Sequence, residues 1–172
     1  MKKLQEYLIP FSTLREGLHE FVFEVDNRFF ENFENPDIKG GNLKVNVSVQ
    51  KNTTFFELGF HISGTIKIIC DRCLDEFDSV VQTVEILFVR FGEDFTELQD
   101  NVIIIPREEK SINVAQYIYE YSALKIPIKK IHPDKDGKSL CNPEMLKILN
   151  KYSIVSNENK NTIWDSLKDL IN

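Results

Sequence analysis

Several features that would assign this chain to a class of protein are scarce or missing. No apolar run exceeds about four residues, so a transmembrane helix is excluded and no signal peptide is expected. The three cysteines are an odd number, which argues against a disulfide framework and favours reduced thiols or a metal site. Seven glycines and six prolines are too few for a collagen-like or low-complexity chain. These absences indicate a globular protein of the cytoplasm.

Acidic and hydrophobic residues are plentiful. The chain has 172 residues, enough for one domain with a sizeable core, and 42% of them are hydrophobic, including thirteen phenylalanines. Its 21 basic residues are outnumbered by 27 acidic ones, which gives a net charge of −6 and a pI of about 5.2. A basic coat that binds nucleic acid over the whole surface is therefore excluded, whereas a local basic patch is not.

The apolar periodicity predicts strands first and helices afterwards. An alternating pattern, typical of half-buried strands, runs over residues 20–26, 43–49 and 56–70, with a break at Gly64. A long strand over residues 80–91 and a short one over 102–105, stopped by Pro106, are predicted to follow. Helical spacing follows at Val114, Tyr117, Ile118, Tyr121 and Leu124, with the tyrosines expected in the core, and again from Pro143 to Lys151. We therefore predict an α+β protein, in which an antiparallel, curved or barrel-like sheet over residues 18–105 is followed by two or three helices.

The C-terminus is predicted to stand apart from the rest of the chain. Residues 1–152 are expected to form a single domain, and the polar residues 153–162 are typical of a linker. A terminal amphipathic helix follows, with Ile163, Trp164, Leu167, Leu170 and Ile171 on one face. Such a helix docks on its own domain or on a partner, and Trp164, Leu167 and Leu170 are the candidate contact residues.

A C-x-x-C motif lies in the predicted turn between two strands. Cys70 and Cys73 are spaced so that two thiolates can bind one ion, and His132 and Cys141 in a later loop offer a second pair of ligands. Together they predict a structural zinc site of the Cys3His type, with all three cysteines used. The alternative is that Cys70 is a small hydrophobe at the end of a buried strand and that the other two are ordinary thiols.

Other chemistries fit less well. A thioredoxin-like site requires a helix after the C-x-x-C motif, and no helical pattern follows Cys73. A calcium loop aligned on Gly137 has His132 and Pro143 where carboxylates are required. The residues from His19 lack the second histidine of a zinc protease motif, and no phosphate-binding glycine loop, dinucleotide fingerprint or nucleophile elbow occurs. The motifs therefore give no support to an enzyme, and no small-molecule substrate is expected.

A lysine-rich segment surrounds the second pair of candidate ligands. Residues 125–138 contain five lysines and two aspartates, a local charge of +3. This segment is either a solvated loop or a patch that contacts phosphates, with Arg72 nearby if the metal site forms. The candidate phosphate contacts are Arg72, Lys129, Lys130, Lys135 and Lys138.

Two segments resemble a known family. The motif C-D-R-C-L at residues 70–74 and the helix ending E-Y-S-A-L-K-I-P at residues 120–127 are similar to those of the YceD family, the large ribosomal RNA subunit accumulation proteins. Ile9-Pro10-Phe11, Leu14, Gly17 and His19 resemble the start of its Bacteroidetes-type members. Many members carry further cysteines after the helix, which supports His132 and Cys141 as ligands, although Asn142-Pro143 replaces the Cys-Gly that often follows.

The resemblance implies a role in ribosome assembly without catalysis. On this basis the chain is expected to be a non-enzymatic factor that binds large-subunit rRNA through its local basic patch. The alternative is an acidic adaptor that recognises a basic large-subunit ribosomal protein by complementary charge, without touching RNA.

Overall fold

The computed structural model describes residues 2–93, 95–99, 101–135 and 137–153. Most of the first hundred residues are strands, and the helices are short. In chain order the elements are a 3-10 helix (Lys2–Tyr7), β1 (Leu8–Pro10), β2 (Gly17–Val25), α1 (Asn27–Phe30), β3 (Ile38–Lys51), β4 (Phe55–Ile69), β5 (Glu76–Gly92), β6 (Thr96–Gln99), β7 (Val102–Pro106), β8 (Ser111–Asn113), α2 (Ala115–Ala123), β9 (Asp134–Lys135), β10 (Lys138–Ser139) and α3 (Pro143–Tyr152).

Six strands in the described part of the chain form one open sheet in the order β2-β3-β4-β5-β7-β6. Neighbouring strands are antiparallel except for β5 and β7, which run parallel. The strand between them in the sequence, β6, does not lie between them in the sheet but at the edge, where it pairs with β7 antiparallel. The predicted α+β class is confirmed. The sheet is not closed into a barrel, since β2 and β6 each have only one neighbour in it.

Gly64, which interrupts the alternating pattern, lies inside a continuous strand. β4 continues through it to Ile69, and Gly64 pairs with Leu43 of β3 and Val81 of β5. Its φ is +145°, and a side chain there would collide with the carbonyl oxygen of Asn42. Glycine therefore allows β3 to approach β4 closely at this point.

The core lies on the face of the sheet that α2 covers. Ile118 of α2 is fully buried, the ring of Tyr121 meets Phe60 of β4 edge-on at 5.2 Å, and Tyr119 stacks on Phe33 at 4.0 Å. The expectation that the α2 tyrosines pack against the core is confirmed. The N-terminal segment completes this layer, because β1 pairs with β8 directly before α2.

Within the described ranges, no helix is both long and apolar enough to cross a membrane. Residues 154–172 fall outside those ranges, and the predicted terminal helix with Trp164, Leu167 and Leu170 lies there.

Candidate metal centre

The C-x-x-C motif forms the tight turn between β4 and β5. The N–H of Cys70 donates to the carbonyl oxygen of Asp75, and the N–H of Leu74 donates to that of Cys70, both at 2.9 Å. The N–H of Arg72 points to the Cys70 sulfur at 3.4 Å. Leu74 adopts the left-handed conformation with φ of +63°, which glycine adopts more readily. The turn holds both cysteine side chains on its buried side.

The second pair of candidate ligands lies on either side of a small hairpin. His132 precedes β9, and Cys141 follows β10, with Gly137 at φ +73° in the connection. Cys141 is followed directly by Asn142, whose side-chain oxygen accepts the N–H of Glu144 and caps α3. The helix α3 therefore begins two residues after the candidate ligand Cys141.

The four predicted ligands meet at one point. The ligand atoms of Cys70, Cys73, His132 and Cys141 all lie within 4.8 Å of one another. The Cys70 and Cys141 sulfurs are 3.8 Å apart, and Nδ1 of His132 lies 3.4 Å from the Cys73 sulfur and 3.7 Å from that of Cys141. A tetrahedral zinc ion places two sulfurs about 3.8 Å apart and a sulfur and a nitrogen about 3.6 Å apart, given the usual bond lengths. The donor set and its spacing fit a metal ion.

Apolar side chains surround this cluster. The three cysteines are buried, and Phe77, Ile131, Met145 and Leu146 pack against them. The ring of Phe77 lies against that of His132, with centroids 4.7 Å apart. Such a shell limits access by water and leaves the ligands few alternative orientations.

The electrostatics of the turn favour a thiolate at one position. Burial alone would raise the pKa of Cys70, but the N–H groups of Cys73 and Arg72, together with His132, lower it to about 6. Burial raises the pKa of Cys73, although nearby N–H groups oppose that shift. The backbone of the turn thus stabilises a thiolate at Cys70 at neutral pH, and a thiolate is the form that binds metals.

Comparison with known protein families shows to which family this chain belongs. Residues 58–171, about two thirds of the sequence, match the family described as large ribosomal RNA subunit accumulation protein YceD. The chain belongs to the YceD family. The name of the family implies a role in the accumulation of large-subunit rRNA, and the family is not known as one of enzymes. No curated protein and no solved structure is significantly similar to the chain.

The basic residues predicted for this YceD-family protein differ in their surroundings. Arg72, in the C-x-x-C turn, and Lys129 are exposed. Lys130 is only 17% exposed, and its Nζ lies 3.0 Å from a carboxylate oxygen of Asp37 and 3.8 Å from one of Asp71. Its contact with Asp37 raises the pKa of Lys130. Lys135 and Lys138 lie opposite each other in the β9–β10 hairpin.

Sequence reasoning missed the groups that join the two halves of the centre. The N–H of Asp71 donates to the carbonyl oxygen of Lys130, and the N–H of Lys130 donates to a carboxylate oxygen of Asp71, each at 2.7 Å. Asp37, which completes the ion pair, comes from the segment between α1 and β3. The only signal in the sequence was the position of Asp71 inside the C-x-x-C motif.

Proposed function

We propose that this protein is a non-enzymatic assembly factor for the large ribosomal subunit, acting in the cytoplasm, and that it binds large-subunit rRNA beside a structural zinc ion. Family membership supports the process, and the position of two exposed cations at the metal centre supports the contact.

The ion is proposed to be zinc because three sulfurs and one imidazole nitrogen form a donor set that zinc favours. Four protein ligands leave no position for water or substrate, so the ion would have a structural role. Its contribution would be to fix the segment from Lys129 to Cys141 against the β4–β5 turn.

The RNA contact is proposed from two exposed cations whose neighbours in the chain bind each other. Arg72 lies next to Asp71, and Lys129 lies next to Lys130, so the hydrogen bonds between Asp71 and Lys130 place both cations at the same junction. Arg72 and Lys129 are the main proposed phosphate contacts, with Lys135 and Lys138 in the neighbouring hairpin. Lys130 contributes less, because two carboxylates partly neutralise it.

The test measures the affinity for large-subunit rRNA over a salt series that begins at about 50 mM, where phosphate contacts are strongest. We expect the double variant Arg72→Glu/Lys129→Glu to bind at least tenfold more weakly and with a shallower salt dependence. Arg107→Glu/Lys110→Glu makes the same change in net charge at exposed positions by the opposite end of β5, and it should bind as the unaltered protein does. No binding at the lowest salt, or equal losses in both double variants, would refute the RNA contact.

One observation favours a second function, that of an adaptor for a basic ribosomal protein. Two of the five lysines between residues 125 and 138 form ion pairs, Lys125 with Glu85 at 3.0 Å and Lys130 with Asp37 at 3.0 Å. The free positive charge of the segment is therefore smaller than the sequence suggests, in a chain of net charge −6. Retention of a large-subunit ribosomal protein by the tagged chain after nuclease treatment, without affinity for rRNA, would support the adaptor.

A further inference from the structure

The two edges of the six-stranded sheet differ in how they are protected. The edge strand β6 has four residues, and its pairing with β7 shifts register between Glu97 and Gln99. The opposite edge strand, β2, has nine residues in unbroken register with β3, from Gly17 to Val25. Short strands and bulges discourage other strands from pairing with an edge, so β6 is protected in two ways and β2 in neither.

The sequence of β2 also lacks the residues that usually keep an edge free. It contains no lysine and no proline. Leu18 and Val22 lie on the outer face of the sheet, which α2 does not cover, and are 62% and 60% exposed. In the described part of the chain β3 is the only strand beside β2, and the carbonyl oxygen of Glu24, near the end of β2, accepts the hydroxyl of Tyr7. An edge of this kind accepts a further strand through main-chain hydrogen bonds.

The charge of β2 indicates the chemistry of a strand that would fit it. Its two acidic residues, Glu20 and Glu24, are exposed on the outer face, and the exposed Asp26 follows the strand. None of the three forms an ion pair within the described residues, although Glu24 lies opposite Lys44 of β3. Opposite charges on facing residues stabilise a pair of antiparallel strands. A strand with cations opposite the two glutamates would therefore complement β2.

A second copy of the chain is a poorer match for this edge. Pairing β2 with β2 would bring four glutamates onto one face of the joined sheet, where like charges are destabilising. The net charge of −6 also opposes association of the chain with itself. A basic segment of another protein meets neither penalty, and its approach is favoured by the acidic chain.

We infer that the free edge of β2 binds an extended basic segment of a ribosomal protein as an added antiparallel strand, with lysine or arginine opposite Glu20 and Glu24. Small apolar side chains would lie opposite Leu18 and Val22. The inference rests on the adaptor function proposed for this chain and assigns it a site. That site is separate from the metal centre, because β3 lies between β2 and β4, the strand that leads into the C-x-x-C turn.

A synthetic peptide tests the edge directly. The probe has nine residues, with lysine opposite Glu20 and Glu24, valine opposite Leu18 and Val22, and threonine elsewhere. We expect calorimetry with the full-length protein to show saturable one-to-one binding. Replacing both lysines of the peptide by glutamate should weaken it about tenfold, because two attractive cross-strand pairs become repulsive.

Variants of the protein locate the contact. Glu20→Lys/Glu24→Lys should bind the lysine peptide about tenfold more weakly and should now prefer the glutamate peptide. Glu76→Lys/Glu93→Lys makes the same change in net charge at exposed positions at the two ends of β5, which β3 and β4 separate from β2. It should bind both peptides as the unaltered protein does. Equal losses in the two double variants would overturn the inference.

Backbone methylation distinguishes an added strand from a purely ionic contact. Two further peptides carry N-methyl groups at alternate residues, one peptide on each backbone edge. An added strand uses only one of its edges for pairing with β2. We therefore expect one methylated peptide to bind as the parent does and the other to lose binding. Equal effects of the two methylation patterns would contradict strand addition.

The adaptor function and its site can fail separately. Retention of a ribosomal protein that Glu20→Lys/Glu24→Lys leaves unchanged would keep the adaptor and overturn the edge as its site. Binding of the peptide without retention of any ribosomal protein would refute the adaptor, and with it the occupant assigned to β2. A dimer that sedimentation detects and the lysine peptide dissociates would assign the edge to a second copy instead.

Discussion

Asp71 and Lys130, which are 59 positions apart in the sequence, bind each other through both their backbones and their side chains. Each donates its backbone N–H to the other residue at 2.7 Å, Asp71 to the carbonyl oxygen and Lys130 to the carboxylate. Cys73 lies two residues after Asp71, and His132 lies two residues after Lys130. The pairing therefore brings one ligand from each half of the centre together without the help of an ion. We conclude that the site is partly preorganised, which lowers the entropy cost of metal binding.

Asp71→Ala tests this preorganisation. The substitution removes the acceptor of the Lys130 N–H, so we expect the free energy of unfolding to fall by about 1 kcal/mol and the zinc affinity to fall severalfold. Asp71→Asn keeps an oxygen acceptor and should lose less of both. The measurements are urea denaturation and competition with a zinc chelator. Glu76→Ala, at an exposed position at the start of β5, is the control; an equal loss there would contradict the role given to Asp71.

Substitution of Leu74 by glycine is expected to stabilise the protein. The φ of Leu74, +63°, costs a leucine about 1–2 kcal/mol, and the side chain is 65% exposed, so its removal forfeits little packing. We expect Leu74→Gly to raise the free energy of unfolding by about 0.5–1 kcal/mol, after the greater flexibility of glycine in the unfolded chain is allowed for.

Leu74→Val is the opposing variant, because a β-branched side chain fits the left-handed region least well. Urea denaturation of the three proteins should rank glycine above leucine and leucine above valine. A loss of stability in Leu74→Gly would mean that the leucine side chain contributes more contacts than its exposure indicates.

Zinc removal should destabilise the protein strongly. Purification without chelator is expected to yield about one zinc per chain, and chelation should lower the melting temperature on the order of 10 °C, because metal binding is coupled to folding. Cys141→Ser should show the same lower melting temperature, and chelator should lower it little further. A zinc content under about 0.2 per chain, with no effect of Cys141→Ser on melting, would leave the cysteines as ordinary thiols.

The sequence was informative where a pattern repeats over many residues or where the chemistry is specific. The strands β2 to β5 follow their alternating residues, and the four candidate ligands do converge, since C-x-x-C restricts two of them and few other sulfur or imidazole ligands remain. Elements of three or four residues, such as β1, β8 and α1, are too short to show a period. Their positions depend on tertiary contacts, for example the N–H of Val114 bonded to the carbonyl oxygen of Tyr7.

The charges were less predictable than the fold. A count of lysines between residues 125 and 138 gives no indication that Lys130 meets Asp37 or that Lys125 meets Glu85, because those partners are distant in sequence. The parallel pairing of β5 and β7 was equally hidden, since the periodicity of a strand carries no information about its direction. The sequence therefore predicts which residues form strands better than it predicts their neighbours.

Buried tyrosines should make the protein sensitive to alkali. Tyr7 is 2% exposed, donates its hydroxyl to the carbonyl oxygen of Glu24 at 3.3 Å, and has its pKa raised to about 12 by burial and by the nearby Glu6 and Asp26. The folded pKa is above the value near 10 of the unfolded chain, so this contribution to stability is complete below pH 10 and is lost as the pH rises through 12. We expect the free energy of unfolding to fall by roughly 1–2 kcal/mol for Tyr7 between pH 9.5 and 11.5. Burial likewise raises the pKa of Tyr121 to about 12, so Tyr121 adds to the same fall in stability with rising pH.

Urea denaturation across this pH range should give a shallower decline in Tyr7→Phe, which starts from a lower stability because it lacks the hydrogen bond. Parallel slopes in the two proteins would show that Tyr7 ionises no differently in the folded and unfolded states.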